Sequence, residues 1–113
     1  MKKIKSVLVI AMSVVLFASC ESNTTQELSV VVTNPTYTQN VESVMSTSCT
    51  GCHSGGSQYP DLDTYDAVKD ACVNGVMLCR IDASCGQVMP QSGQMPQQTV
   101  DMIKLWATNN YPN

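Results

Sequence analysis

The sequence predicts an all-α domain. Apolar residues recur at spacings of three and four in separate stretches, which is the period of helices with one buried face. Prolines, glycines and candidate caps separate these stretches, and no segment alternates apolar with polar residues over the length of a strand. With 113 residues the chain has room for one domain, and a core this small commonly needs a disulfide, a metal or a cofactor for stability.

Two helices are expected in the first half of the domain. The first begins at Tyr37, after a proline and a threonine that serve as stop and candidate cap, and runs into Cys49. The second begins at Asp63 or Thr64 and is followed by Gly75 as a C-terminal stop. Their apolar faces consist of Val41, Val44, Met45 and Ser48 in the first helix, and of Tyr65, Val68 and Cys72 in the second.

Two further helices complete the fold prediction. A short one is expected over residues 76–81, and residues 86–93 are a predicted loop. The last helix has Pro96 in its first turn, where the missing N–H costs no helical hydrogen bond. Its apolar face consists of Val100, Ile103, Trp106 and Ala107.

The N-terminus has the pattern of a secretory signal. Residues 1–5 are basic, residues 6–18 form an apolar run, and small residues lead to Cys20. The run is short for a permanent membrane span of about 20 residues, although an uncleaved anchor is the alternative. The exit LFASC resembles the lipobox of bacterial lipoproteins, with Phe17 where leucine is usual. This resemblance implies a lipidated Cys20 and a membrane-anchored protein in the periplasm or on the outer surface; simple cleavage is the alternative.

Charge and domain organisation follow from removal of that signal. The predicted organisation is a signal peptide at 1–19, a flexible polar tether at 20–36 and a folded domain at 37–113. From Cys20 onward the chain has three basic and nine acidic residues, a net charge of −6. Such a surface repels nucleic acid, so nucleic-acid binding is excluded, and it suits a basic partner protein.

The most specific motif is CTGCH at residues 49–53. Cys49 and Cys52 have the spacing that forms thioethers with the two vinyl groups of a haem, and His53 follows as an axial ligand of the iron. The motif therefore predicts one covalently bound haem c. His53 is the single histidine of the chain, so ligation by two histidines of one chain is excluded. The alternatives are a thioredoxin-type redox pair, a zinc site, or a plain disulfide between the two cysteines.

Methionines are the candidates for the second axial ligand. Met45 and Met102 fall within predicted helices and Met77 falls on the short third helix, so these three are expected to pack in the core. Met89 and Met95 lie in predicted loop, and each precedes a proline that restricts the backbone. Spacing alone does not decide whether Met89 or Met95 is the second ligand.

Three later motifs carry a family resemblance. They are LDTYDAV at 62–68, MPQSG at 89–93 and IKLW at 103–106. With the haem motif they resemble the small single-haem cytochromes c of bacteria, over residues 44–106. The resemblance implies the small cytochrome c fold, electron transfer to redox partner proteins, Met89 as the iron ligand opposite His53, and Met95 in the core. It also implies a backbone carbonyl that orients the His53 ring, for which Pro60 is a candidate.

Cys72, Cys79 and Cys85 lie outside the haem motif. In an oxidising compartment, three cysteines predict one disulfide and one free thiol. A Cys79–Cys85 bond would close a short loop ahead of Met89 and stiffen it, whereas pairing of Cys72 with either of the others is not excluded.

The predicted function is electron transfer. Catalysis is not expected, because the sequence shows no acid–base pair placed around a pocket. One alternative is a haem enzyme subunit or gas sensor in which Met89 leaves the iron. Another is a haem-free binding module held together by its disulfide.

Overall fold

The fold is known from a computed structural model that describes residues 31–113. In chain order it contains a π-helical turn at Tyr37–Val41 and the helices α1 (Glu42–Ser48), α2 (Tyr65–Val73), α3 (Met77–Ile81) and α4 (Gln97–Thr108). No strand occurs within these residues, which confirms the predicted all-α class for this part of the chain. The predicted signal, the lipidation site at Cys20 and most of the predicted tether lie outside the described residues. Within residues 31–113, no helix has the length and apolarity needed to cross a bilayer.

The first helical segment begins at the cap predicted for it. The Thr36 hydroxyl accepts a hydrogen bond from the Gln39 N–H at 3.3 Å. The first turn is wider than predicted, because the Glu42 N–H bonds to the Tyr37 carbonyl, five residues earlier. The α-helical pattern then continues to Cys49, whose N–H bonds to the Met45 carbonyl at 2.9 Å. The helix therefore ends at the first residue of the CTGCH motif.

The second helix is capped by Thr64, one of the two caps predicted from the sequence. Its hydroxyl accepts a hydrogen bond from the Ala67 N–H at 3.3 Å, and its carbonyl accepts the Val68 N–H at 3.0 Å. The helix ends at Val73 with Asn74 as its C-cap, and Gly75 follows directly, as the sequence predicts for a C-terminal stop. Asp66 lies in the first turn, where the positive end of the helix dipole favours a carboxylate.

Loss of the Thr64 cap should weaken the domain measurably. Thr64→Ala removes the hydroxyl that accepts the Ala67 N–H, and such changes cost about 1 kcal/mol of folding free energy. The matched control is Thr64→Ser, which keeps a hydroxyl at the cap and should stay close to the wild type. Urea unfolding followed by far-UV circular dichroism measures both; equal stability of the alanine and serine variants would show that the cap does not contribute.

The last helix begins one residue later than predicted. Pro96 is the N-cap and lies outside the first turn, and its carbonyl accepts the Thr99 and Val100 N–H groups at 2.9 and 3.2 Å. A proline suits this position because it has no N–H to leave unpaired. Val100, Ile103 and Trp106 are completely buried, as the apolar spacing predicts.

An aromatic cluster closes the core on the side of the C-terminus. The rings of Tyr37 and Tyr65 lie 5.4 Å apart, and those of Trp106 and Tyr111 lie 5.0 Å apart, both pairs edge to face. The Pro112 carbonyl accepts the indole N–H of Trp106 at 2.8 Å and the Tyr37 N–H at 2.9 Å. The hydroxyl of Tyr65 donates to the Tyr111 carbonyl at 2.8 Å. The chain end is thereby attached to the π-helical turn, α2 and α4.

Candidate functional site

A cavity of about 460 Å³ lies on the domain and is lined mainly by apolar side chains. Its walls come from the end of α1 and the turn after it, the segment 58–62, the α2–α3 junction with α3, and the loop at 89–92. Four residues that the sequence analysis placed at the site line this cavity: Cys49, Cys52, His53 and Met89. Residues 40 positions apart in the chain therefore meet at one place.

The turn after α1 brings the two cysteines and the histidine together. The Cys49 carbonyl accepts the N–H of Cys52 at 3.1 Å and the N–H of His53 at 2.9 Å. These bonds continue the helical path for one more turn, so that residues three and four apart lie on the same side. The local spacing of the motif therefore places both thiols and the imidazole along one wall of the cavity.

The His53 ring is oriented by backbone carbonyls. Its Nδ1 lies 2.9 Å from the Pro60 carbonyl oxygen and 3.2 Å from that of Gln58. Because a carbonyl can only accept, Nδ1 carries the hydrogen and donates it. In the tautomer that carries its hydrogen on Nδ1, the lone pair of Nε2 is available for a further partner, such as a metal ion. The Leu62 N–H also bonds to the His53 carbonyl at 2.8 Å, which fastens the segment after Pro60 to the motif.

Both cysteines of the motif are free thiols. Cys52 is exposed and Cys49 is half-buried, and burial raises the pKa of the Cys49 thiol because it disfavours the thiolate. A disulfide between the two, one of the sequence alternatives, is not formed. Two unpaired thiols on the wall of an apolar cavity are the groups that a covalent haem attachment requires.

The methionines divide between the core and the cavity. Met45 and Met95 are 1% and 8% exposed in the hydrophobic core, and neither lines the cavity. Met89 is half-buried and lines the cavity. Met77 is a residue that sequence reasoning assigned to packing alone: it is buried in the core, yet it also contributes to the cavity wall. Its sulfur accepts a hydrogen bond from the Cys72 thiol at 3.6 Å, so Met77 already has a partner.

The remaining cysteines are a disulfide and a buried thiol. Cys79 and Cys85 form the disulfide, with their Cα atoms 5.3 Å apart, and this is the pairing named as the candidate from the sequence. Cys72 is free and buried on α2, and burial raises the pKa of its thiol to about 12. The Cys72 thiol is therefore protonated at neutral pH.

The sequence analysis did not single out Arg80, which also lines the cavity. Arg80 is the only arginine of the chain and stands directly after Cys79. Its uniqueness is the one feature of the sequence that could have pointed to a special role. Tyr59 and Val76, 89% and 59% exposed, lie at the cavity as well. Only the folded chain brings Tyr59 to the other two, because Val76 and Arg80 belong to α3 and its N-cap whereas Tyr59 belongs to a separate segment.

The donor set suits a covalently bound haem. Two thiols, a histidine with one ring nitrogen available, and a thioether line a mainly apolar cavity. Within residues 31–113, no three His, Cys, Asp or Glu side chains are grouped so that they could hold a metal ion.

Comparison of the chain with protein-family models, with curated proteins and with solved structures gives no match. Its function therefore has to be argued from its own residues. The CTGCH turn and the cavity it lines are the most specific of these.

Proposed function

We propose that this protein is an exported c-type cytochrome that carries one haem and transfers electrons. The observation that carries the proposal is the meeting of Cys49, Cys52, His53 and Met89 on the wall of one apolar cavity. The cysteines come from a motif whose spacing is typical of haem attachment, and the methionine comes from a loop far along the chain. The proposed fold is accordingly the small cytochrome c fold.

Each site residue has a separate task in this proposal. The Cys49 and Cys52 sulfurs hold the cofactor through thioether bonds, and the Pro60 carbonyl keeps the His53 ring in the orientation that leaves Nε2 for iron. Met89 would supply a thioether as the second protein ligand of the iron. A haem held by these residues would supply one-electron redox chemistry, and the histidine–methionine pair would raise its reduction potential.

The electron carrier is proposed to work outside the cytoplasm on a membrane surface. The N-terminal signal and the lipobox-like exit before Cys20 support this placement, and a lipid on Cys20 would hold the protein to the bilayer through its acyl chains. From Cys20 onward the net charge is −6, which favours redox partners with a basic docking face.

Visible spectra of the exported protein test this function. Produced in a host that attaches haem, the wild type should show low-spin bands in both redox states, and the haem should stay with the chain on denaturation. Met89→Ala should convert the spectrum to a high-spin form, because the cavity then lacks its thioether ligand. Met95→Leu is the matched control, since Met95 is a core residue outside the cavity, and it should keep the low-spin spectrum.

Each unexpected result has a definite meaning. Absence of haem in the wild type would refute the proposal and favour a disulfide-held binding module. An unchanged spectrum in Met89→Ala would remove Met89 as ligand. Ready binding of carbon monoxide by the reduced wild type would favour a gas sensor or enzyme subunit over a carrier.

A further inference from the structure

Arg80 contacts the Met89 loop at two points. Its backbone carbonyl accepts the N–H of Met89 at 3.1 Å, and its guanidinium Nη1 donates to the carbonyl of Gln87 at 3.0 Å. The same residue therefore binds the loop once through its main chain and once through its side chain. Both contacts lie within two residues of the sulfur-bearing side chain that lines the cavity.

The disulfide and Gly86 bring the loop within reach of the guanidinium. The disulfide joins Cys79, the residue before Arg80, to Cys85, the residue before Gly86, and the Cys79 carbonyl accepts the N–H groups of Ser84 and Cys85 at 2.9 and 3.3 Å. Gly86 has φ +56°, and a Cβ added there would lie 2.6 Å from Nη1 of Arg80. Glycine adopts this φ without strain and leaves the space in which the guanidinium lies, so a side chain at position 86 would have to displace the guanidinium. The guanidinium packs against the site where any other residue would place its side chain.

We propose that Arg80 is a positioning residue for Met89, and that the Cys79–Cys85 disulfide and Gly86 serve to keep its guanidinium on the loop. Arg80 lies on α3, whose Met77 and Ile81 are buried in the core. The contacts of Arg80 therefore attach the Met89 loop to a helix that is packed in the core. This inference rests on the proposed function, because the position of Met89 affects function only if Met89 is a ligand of the iron. The contacts themselves belong to the protein with or without that function.

The first measurement is amide hydrogen exchange at Met89 in the whole protein, resolved by NMR. Arg80→Gln removes the guanidinium but keeps the backbone carbonyl, so the Met89 N–H should exchange about tenfold faster as the loop opens more often. Arg80→Lys should give a smaller increase, because an ammonium can reach one carbonyl but does not present the planar fork of arginine. Lys69→Gln is the control for charge: it removes one positive charge from α2, away from the cavity, and should leave Met89 unchanged.

The second measurement is imidazole binding to the oxidised haem-loaded protein. Imidazole competes with Met89 for iron, so a loosened loop in Arg80→Gln should raise the apparent imidazole affinity about tenfold, equal to about 1.4 kcal/mol. The reduction potential is measured on the same samples. If the reduction potential shifts while the imidazole affinity and the Met89 exchange rate stay unchanged, Arg80 acts only through its charge beside the cavity. That result would overturn its positioning role.

A double-mutant cycle with Gly86→Ala tests the local geometry. Gly86→Ala should mimic Arg80→Gln at the Met89 amide, because the new Cβ displaces the guanidinium. In the Arg80→Gln background it should add little to that exchange rate, although its backbone strain will still lower global stability. Additive effects on Met89 exchange would refute the contact. A protein without haem would refute the proposed function, and an unchanged Met89→Ala spectrum would remove Met89 as ligand. In either case the exchange test stays decisive for the contact between Arg80 and the loop.

Discussion

Replacing both Cys49 and Cys52 with serine is expected to yield a protein without covalently bound haem. Among residues 31–113 the two sulfurs are the only thiols on the cavity wall, and a serine oxygen does not form the corresponding thioether. His53 and Met89 remain in this variant, so any haem retained by coordination should separate from the chain when the protein is unfolded. Haem staining after denaturing electrophoresis measures the difference directly.

The same variant should also be less stable. The wall of a cavity of about 460 Å³ is largely apolar, and a bound group that fills it stabilises the folded chain over the unfolded one. A domain of this size has little other core to compensate. Thermal unfolding of wild type and variant, both expressed with the haem-attachment machinery, should show a clearly lower midpoint for the variant.

Cys72→Ala is the matched control for the loss of a thiol. Cys72 is buried on α2 and does not line the cavity, so this variant should keep its covalent haem. Its stability should fall by about 1 kcal/mol, because a buried sulfur and its contact with Met77 are lost. Covalent haem in the double serine variant would contradict the assignment of Cys49 and Cys52 as the attachment residues. Haem loss in Cys72→Ala would show that removing a thiol from the core prevents attachment indirectly, so that the loss in the serine variant could not be assigned to the motif.

Trp106→Ala should cause the largest loss of folding stability among single substitutions in the core. The side chain is completely buried and contacts Tyr37 and Tyr111, and its indole N–H donates to the Pro112 carbonyl at 2.8 Å. Truncations of this kind cost about 3–5 kcal/mol. That is much of the total stability of a domain this small. Urea unfolding followed by circular dichroism measures the free energy of unfolding.

A milder variant keeps this prediction testable if Trp106→Ala does not fold. Trp106→Phe retains an aromatic ring but loses the hydrogen bond to Pro112, so it should cost about 1–3 kcal/mol. Val73→Ala is the control on an exposed apolar residue: Val73 is 55% exposed on α2, and its effect should stay within about 0.5 kcal/mol. A cost for Trp106→Phe no larger than that of Val73→Ala would show that the indole contact with the chain end contributes nothing.

Local patterns predicted the elements of this fold well. Thr36 and Thr64 cap the first two helices, and Val100, Ile103 and Trp106 form the buried face of the last. The errors lie within a turn or less: the first turn of the first helix is π-helical, and Pro96 caps α4 from outside. Such details depend on hydrogen bonds whose choice among neighbouring partners is not encoded in apolar spacing.

The sequence by itself determined which groups meet in the CTGCH turn, because three residues within one helical turn lie together in any fold that keeps the turn. The choice of Met89 over Met95 came from resemblance; in the folded chain Met89 lines the cavity, whereas Met95 is buried in the core. Only the tertiary structure decided that Met77 and Arg80 also line it, and that the chain end bonds to Tyr37 and Tyr65. These contacts join segments separated by long stretches of chain. Their partners depend on how the helices pack, which no local pattern records.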